Sequence, residues 1–348
     1  MNKNNIVFLY AEITPYLLGC LTFFKNFNPE YSITIYYNSV FPNLNLNDYD
    51  FNFKSKSIFK SKNDFFDDVK KQKPIVLLVS GRMEKFYLYV SKKYKSRINV
   101  VCLFDTIYEK NFIQFLKKCF SNILYKPFFD FMWGSGSLQE KFALDIGYKA
   151  KMVKKGFYVA DKIFFENSFQ PTFRSTNTNF LFIGRLVKVK NIKIFAEILD
   201  EINNLKKSNH RLGIVGKGIL LNELKKFQCV DYLGLKTQKE IINIAKDYHA
   251  FCLPSVYEPW GVVLHEMSAL GLPILSSNKC GSSYDLVKQN YNGFIFNPYS
   301  YNSILNSINM FLDLSVNEKI IMSQNSKKLA NKINLNDWSQ TLLSLIKK

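Results

Sequence analysis

Short apolar runs recur along the chain, at residues 6–10, 33–37, 75–79, 100–104, 179–183, 212–215, 250–253 and 272–275. Each has the length of a strand, and most are apolar on both faces. Segments with helical spacing separate many of them, among them 191–205, 238–247 and 262–270. Doubly apolar strands alternating with amphipathic helices predict parallel sheets covered on both sides. The expected class is therefore α/β, doubly wound. The last segment, 334–348, is expected to be a helix with Trp338, Leu342, Leu343 and Ile346 near one face.

The punctuation divides this pattern. Residues 170–178 are polar, carry Pro171 and lack periodicity, so they read as a break before a strand that restarts at Phe180. Residues 43–62 read as a loop-rich insertion. A chain of 348 residues is long for one core and comfortable for two domains of roughly 150–200 residues each. The expected boundaries are 1–165 for the first domain, 166–332 for the second, and 333–348 for a terminal helix returning to the first.

Composition changes this picture little. A hydrophobic fraction of 47% allows packed cores. Lys and Arg outnumber Asp and Glu by 47 to 28, a formal charge of +19 that attracts anions. The basic stretches are short and no nucleic-acid module accompanies them, so the readings are solvated surface or a face toward an anionic membrane, ahead of nucleic acid. The cysteines (Cys20, Cys102, Cys119, Cys229, Cys252 and Cys280) form no C-x-x-C pair and no ligand spacing. Neither a zinc site nor a disulfide framework is suggested, and a reducing cytoplasm fits best. No apolar run reaches the ~18–20 residues that span a bilayer. The first apolar run is cut short by Glu12 and Pro15, and reads as a buried strand rather than a signal peptide.

Four motifs carry candidate chemistry. In the first, Gly184-Arg185-Leu186 and Lys190-Asn191 lie between a strand end and a helix. A diphosphate there would meet a guanidinium, an ammonium and a helix N-terminus. Taken alone, the same residues read as a basic surface turn. In the second, Gly213-Ile214-Val215-Gly216-Lys217-Gly218, glycines allow close backbone approach, but Leu221 stands where a dinucleotide fingerprint needs its last glycine. A dehydrogenase is disfavoured for that reason. The third motif is Pro254-Ser255-Val256-Tyr257-Glu258-Pro259-Trp260-Gly261, leading into a helix that carries Glu266 and ends at Gly271-Leu272-Pro273. Two carboxylates with seven residues between them, across a turn and one helical turn, can both point into one pocket. The fourth, Cys280-Gly281-Ser282-Ser283 and Asn292-Gly293-Phe294, reads equally as scaffold.

These strings resemble the large family of retaining GT-B glycosyltransferases called group 1 or family 4. The likeness is best over residues 180–296, through Gly184-Arg185-Leu186, the Gly216 turn, Tyr232-Leu233-Gly234 and the Glu258-x7-Glu266 element. The resemblance implies two Rossmann-like domains facing across a cleft, with the nucleotide-sugar donor in the second. It implies that Arg185 and Lys190 hold the donor diphosphate, that Glu258 contacts the donor sugar and Glu266 the ribose. Backbone at Trp260, Gly261, Val262 and Val263 would meet the phosphates, Gly184 and Gly216 would line the donor site, and Gly234 would lie near the base. No cofactor and no divalent metal are implied, protein cations taking the metal's place. In the first domain the resemblance implies an acceptor site, with Gly19 in a loop at residues 14–19. Asp105 is assigned a catalytic place beside it, where many relatives carry a histidine.

The implied activity is transfer of a hexosyl group from a nucleoside-diphosphate sugar, UDP- or GDP- by expectation, to a glycan or lipid-linked acceptor. Surface polysaccharide, lipopolysaccharide or capsule assembly at the inner face of the cytoplasmic membrane is the implied setting, with peripheral contact to anionic lipid and no nucleic-acid partner. Three other classes remain open. A sugar-nucleotide epimerase or hydrolase of the same fold would need no acceptor. A basic non-catalytic module would bind nucleic acid or membrane with steep salt dependence. A metal-dependent transferase of another fold would use Asp48-Tyr49-Asp50, a triplet that stands in an Asn-rich loop.

Overall fold

The computed structural model describes residues 4–42, 44–173 and 177–346. The expectations at Asn43, within 170–178 at Arg174, Ser175 and Thr176, and at the two C-terminal lysines lie outside the described residues. The chain divides into two compact units, one made of residues 1–161 with 334–348 and the other of residues 162–333.

The first unit holds seven strands: β1 (Asn4–Ile13), β2 (Tyr31–Val40), β3 (Asn52–Ser55), β4 (Pro74–Ser80), β5 (Asn99–Phe104), β6 (Phe131–Gly134) and β7 (Val153–Lys154). They run in the order β3-β2-β1-β4-β5-β6-β7, every pair parallel. Ile6, Val7, Phe8 and Leu9 of β1 are fully buried, as a central strand covered on both faces requires. The order reverses between β1 and β4, the switch point at which open sheets of this kind bind ligands.

The second unit repeats the plan with β8 (Asn179–Ile183), β9 (Arg211–Val215), β10 (Val230–Gly234), β11 (Ala250–Leu253), β12 (Ile274–Ser277) and β13 (Gly293–Phe296). Their order is β10-β9-β8-β11-β12-β13, again all parallel, with the switch between β8 and β11.

Every apolar run read as a strand contains or overlaps one. β12 starts two residues later than expected, because Gly271 at φ +103 closes the preceding helix and Leu272 still bonds back to Met267 (3.0 Å). The polar end of β12 is nonetheless buried, since Ser276 bonds to Ser283 (2.7 Å) and Ser277 to the Ser255 carbonyl (2.5 Å). The insertion at 43–62 is not all loop: it contributes the edge strand β3.

Two expectations are corrected in the first unit. Residues 14–19 are not a glycine-containing loop. A helix, Pro15–Phe27, begins at Pro15, whose fixed φ suits a first helical turn, and Gly19 lies inside it. A Cβ on Gly19 would run into the carboxylate of Asp161, so this glycine makes room for a neighbouring acid rather than opening a binding loop. In the terminal helix, Leu335–Ile346, Trp338 and Leu342 are buried as expected, but Leu345 completes the face and Leu343 is only half-buried. Trp338 anchors this helix to the first unit by donating to the Phe157 carbonyl (2.9 Å) and packing on Trp133 (ring centroids 5.2 Å apart). Among the described residues, no helix is long and apolar enough to cross a membrane.

Candidate active site

The carboxyl edge of the second sheet collects the first three motifs and the start of the fourth. Loops leaving β8, β9, β10, β11 and β12 are laced together by backbone hydrogen bonds. Gly184 donates to Val215 (2.9 Å), Leu186 to Lys217 (2.8 Å) and Gly216 to Gly234 (2.9 Å). Val256 donates to Val189 (2.9 Å), Glu258 to Lys279 (3.0 Å), and Gly281 to Glu258 (2.9 Å). Segments far apart in sequence are thus held in one rigid cluster.

The glycines have distinct reasons. Gly216 sits at φ +143, and a Cβ there would collide with the Gly184 carbonyl oxygen. This close approach is what lets the β8 and β9 loops touch. Gly234, at φ +78, faces open space: a Cβ would meet nothing within 4 Å.

Lys190 closes a short helical turn after β8, and Glu258 lies on the loop after β11. These two side chains form an ion pair and are both largely buried. Arg185, in the loop that leaves β8, is exposed and enters no ion pair among the described residues. Asn191 follows Lys190 in the left-handed region at φ +56, with its amide donating to the Pro298 carbonyl (3.0 Å). That residue type tolerates such a turn.

The helix Val262–Leu270 starts at Gly261 (φ +83) with no side-chain cap and no acid in its first turn. Its first amides and the positive end of its dipole therefore lie at the same edge, unneutralised by a capping group. A Cβ on Gly261 would stand 3.0 Å from Cγ of Glu258, which shows how closely the helix start and the carboxylate approach. Glu266 is half-buried one turn further on. The Trp260 side chain is buried at 2% exposure, so only its backbone is available to a ligand, and its carbonyl already accepts from Ser282 (3.0 Å).

This helix is fixed from behind. His265 is fully buried, its Nε2 bonded to the Ala330 carbonyl (3.0 Å) and its ring edge-on to Phe165 (5.6 Å). Burial pushes the imidazole down to about 4, and the bond to Ala330 opposes that shift more weakly. The neutral ring is the form that folds. Its contribution is whole above the unfolded pKa of about 6.5 and is lost as pH falls toward 4, where the unfolded chain takes up the proton first. The stability difference between wild type and His265→Gln should therefore shrink by about 3 kcal/mol between pH 7 and pH 4. Denaturant unfolding at a series of pH values reads this directly, and a difference independent of pH contradicts it.

In the first unit, Asp105 follows β5 directly and is half-buried, with its backbone carbonyl accepting from Gln139 (3.0 Å). Around it stand Tyr10, Tyr16 and Tyr158, a grouping not visible in the sequence. The Tyr16 and Tyr158 rings meet edge-on at 5.2 Å. Burial chiefly pushes the Tyr16 phenol up to about 12, with a further push from Asp105, and raises Tyr10 and Tyr158 well above the ordinary value. All three stay neutral at physiological pH and keep a proton to donate. Gly19 lies on the same helix as Tyr16, three residues further on, against Asp161. Asp48 and Asp50 are exposed, Asp48 accepting from Asn45 (2.9 Å). Among the described residues no three His, Cys, Asp or Glu side chains gather in a way that could hold a metal ion.

A doubly wound unit with cations, an acid pair and an uncapped helix start at its switch point is a unit suited to a diphosphate-bearing nucleotide. The chain matches the family described as glycosyl transferases group 1 over residues 164–329, within the second unit. It is 34% identical over 165 residues to the UDP-Gal:alpha-D-GlcNAc-diphosphoundecaprenol alpha-1,3-galactosyltransferase of Escherichia coli, covering 45% of this chain and 42% of that one. It is 28% identical over 175 residues to a Campylobacter jejuni enzyme named as adding alpha-1,4-N-acetyl-D-galactosamine to a diNAcBac-PP-undecaprenol-linked glycan, covering 49% and 46%. The match thus spans less than half the length of these relatives. A solved glycosyltransferase from Rickettsia africae superposes with a TM-score of 0.78 at 15% identity, over 100% of this chain and 98% of that one. That likeness shows the two-unit GT-B fold.

Proposed function

We propose that the protein is a retaining glycosyltransferase that moves a hexosyl group from a UDP- or GDP-sugar to a lipid-linked glycan in surface polysaccharide assembly. The observation that carries this reading is the Lys190–Glu258 pair beside exposed Arg185 and the uncapped start of the helix Val262–Leu270. In the proposed complex, the diphosphate lies against Arg185, Lys190 and the amides of Val262 and Val263. Glu266 takes the ribose hydroxyls, the base lies over Gly234, and Glu258 accepts from hydroxyls of the sugar. Gly184, Gly216, and the backbone of Trp260 and Gly261 shape the floor.

In the reaction, the bond from the anomeric carbon to the donor phosphate oxygen breaks as the acceptor oxygen bonds to that carbon on the same face. The acceptor hydroxyl proton passes to the departing phosphate. Arg185, Lys190 and the helix amides stabilise the charge that grows on the diphosphate, so no metal is required in this reading. Asp105, with the neutral phenols of Tyr10, Tyr16 and Tyr158, would bind acceptor hydroxyls in the first unit. The positive charge of the chain and the lipid-linked glycans named for its relatives support a peripheral position on the inner membrane face.

A thermal-shift and turnover screen against UDP-, GDP-, ADP- and CDP-sugars, with and without EDTA, tests this. One nucleotide should stabilise the protein in EDTA, and Arg185→Ala should weaken that binding by about tenfold to a hundredfold. Stabilisation by none of them would overturn the proposal. Sugar release equally fast with and without acceptor would make the protein an epimerase or hydrolase instead.

A further inference from the structure

The helix Phe112–Cys119 and the turn of helix after it, Ser121–Leu124, are packed the wrong way round for a soluble surface. Their polar residues Gln114 and Ser121 point inward and are buried. Gln114 holds the loop below, donating to the Ile107 carbonyl and accepting from the Glu109 amide (2.7 Å). The large apolar residues point outward: Phe112 is 71% exposed, Ile113 65%, Phe115 57%, Phe120 51% and Ile123 67%. Positions 112, 116, 120 and 123 recur at helical spacing, so the exposed side chains form one stripe rather than scattered single residues.

Lysines border the stripe. Lys110, Lys118 and Lys126 are exposed, and Lys117 lies over the Phe142 ring (5.9 Å). Of the nearby acids, Asp145 is paired with Lys118 (3.0 Å) and Glu109 accepts from Asn111 (2.7 Å). An outward apolar stripe rich in Phe and Ile with a lysine rim fits the boundary between headgroups and acyl chains of an anionic bilayer. Long lysine stems can lie along the apolar surface and still reach the phosphates. A second copy of the chain fits worse, because it would bring a like-charged rim against this one.

We infer that residues 112–123 form a surface on which the first unit docks to an anionic phospholipid bilayer. The segment follows the carboxyl end of β5, the edge of the sheet that carries Asp105. Docking there sets that edge at the membrane surface, where a lipid-linked acceptor presents its glycan. The inference refines the membrane contact of the proposed function, yet its readout is binding alone and stands or falls apart from transfer.

The test is co-sedimentation of the full chain with phosphatidylcholine vesicles and with vesicles that also contain phosphatidylglycerol. A second readout is an environment-sensitive fluorophore on Cys119, which is exposed while the other cysteines are buried. Wild type should bind the anionic vesicles more tightly, with a blue shift of the probe. The Phe112→Ser/Phe115→Ser/Ile123→Ser variant should lose about a hundredfold in partition while its melting temperature holds. Lys110→Glu/Lys126→Glu should lose more than about tenfold on anionic vesicles and little on neutral ones. Absence of wild-type binding, or equal binding by the serine variant, overturns the inference. So does concentration-dependent self-association that the serine variant abolishes without any vesicle binding.

Discussion

Glu258→Gln should lower transfer by about a thousandfold while leaving the melting temperature within a few degrees of wild type. In the proposed complex this carboxylate accepts hydroxyl hydrogen bonds from the donor sugar, each charge-assisted and worth about 1.5–3 kcal/mol. Two such bonds, tightened as the sugar flattens toward an oxocarbenium ion, account for an effect of that size. The side chain is largely buried and paired with Lys190, so glutamine fills the space and keeps an oxygen for the ammonium. A steady-state assay with the donor found in the nucleotide screen is the measurement. Turnover near wild type in Glu258→Gln would remove this residue from the site.

The pairing adds a sharper point. Lys190 is engaged by Glu258, whereas Arg185 enters no ion pair among the described residues. In the proposed complex, the diphosphate therefore meets a guanidinium in place and an ammonium that must be shared with a carboxylate. The two positions act as one unit, so their substitutions should not add in a double-mutant cycle.

The sequence carried the second unit more fully than the first, and the reasons are physical. Strands such as β8 and β11 are continuous apolar runs flanked by turns, the pattern that buried parallel strands must have. The β3, β6, β7 and β10 strands are short or partly polar, so their local signal is weak, and only pairing with a neighbour defines them. The loop expected at 14–19 became a helix because Pro15 favours a first turn over the glycine loop, and Gly19 is explained by Asp161, far along the chain. Tyr10, Tyr16 and Tyr158 come together around Asp105 only through the sheet order. Periodicity shows that residues 112–123 have an apolar stripe, but not that Gln114 and Ser121 turn inward and send that stripe to solvent. The face a helix presents is a tertiary fact.

Gly216→Ala should cost far more than its single methyl group suggests, and a comparison with Gly234→Ala should show why. Both glycines have positive φ, at +143 and +78, so both substitutions carry conformational strain of about 1–2 kcal/mol. At Gly234 the new methyl group enters open space. At Gly216 it meets the Gly184 carbonyl oxygen at a distance no real contact tolerates, and that oxygen belongs to backbone fixed at both ends. Gly184 donates to Val215, and Gly216 donates to Gly234, so neither strand end can withdraw alone. The β8 and β9 loops must separate, at a total cost of about 3–4 kcal/mol and with Arg185 displaced from its place at the edge. Denaturant unfolding should place Gly216→Ala well below Gly234→Ala in stability. Nucleotide binding at a temperature where the protein is folded should be about a hundredfold weaker in Gly216→Ala than in wild type. Equal stability of the two variants would mean that the loops are free to part, and the rigid donor floor on which the proposed chemistry depends would not exist.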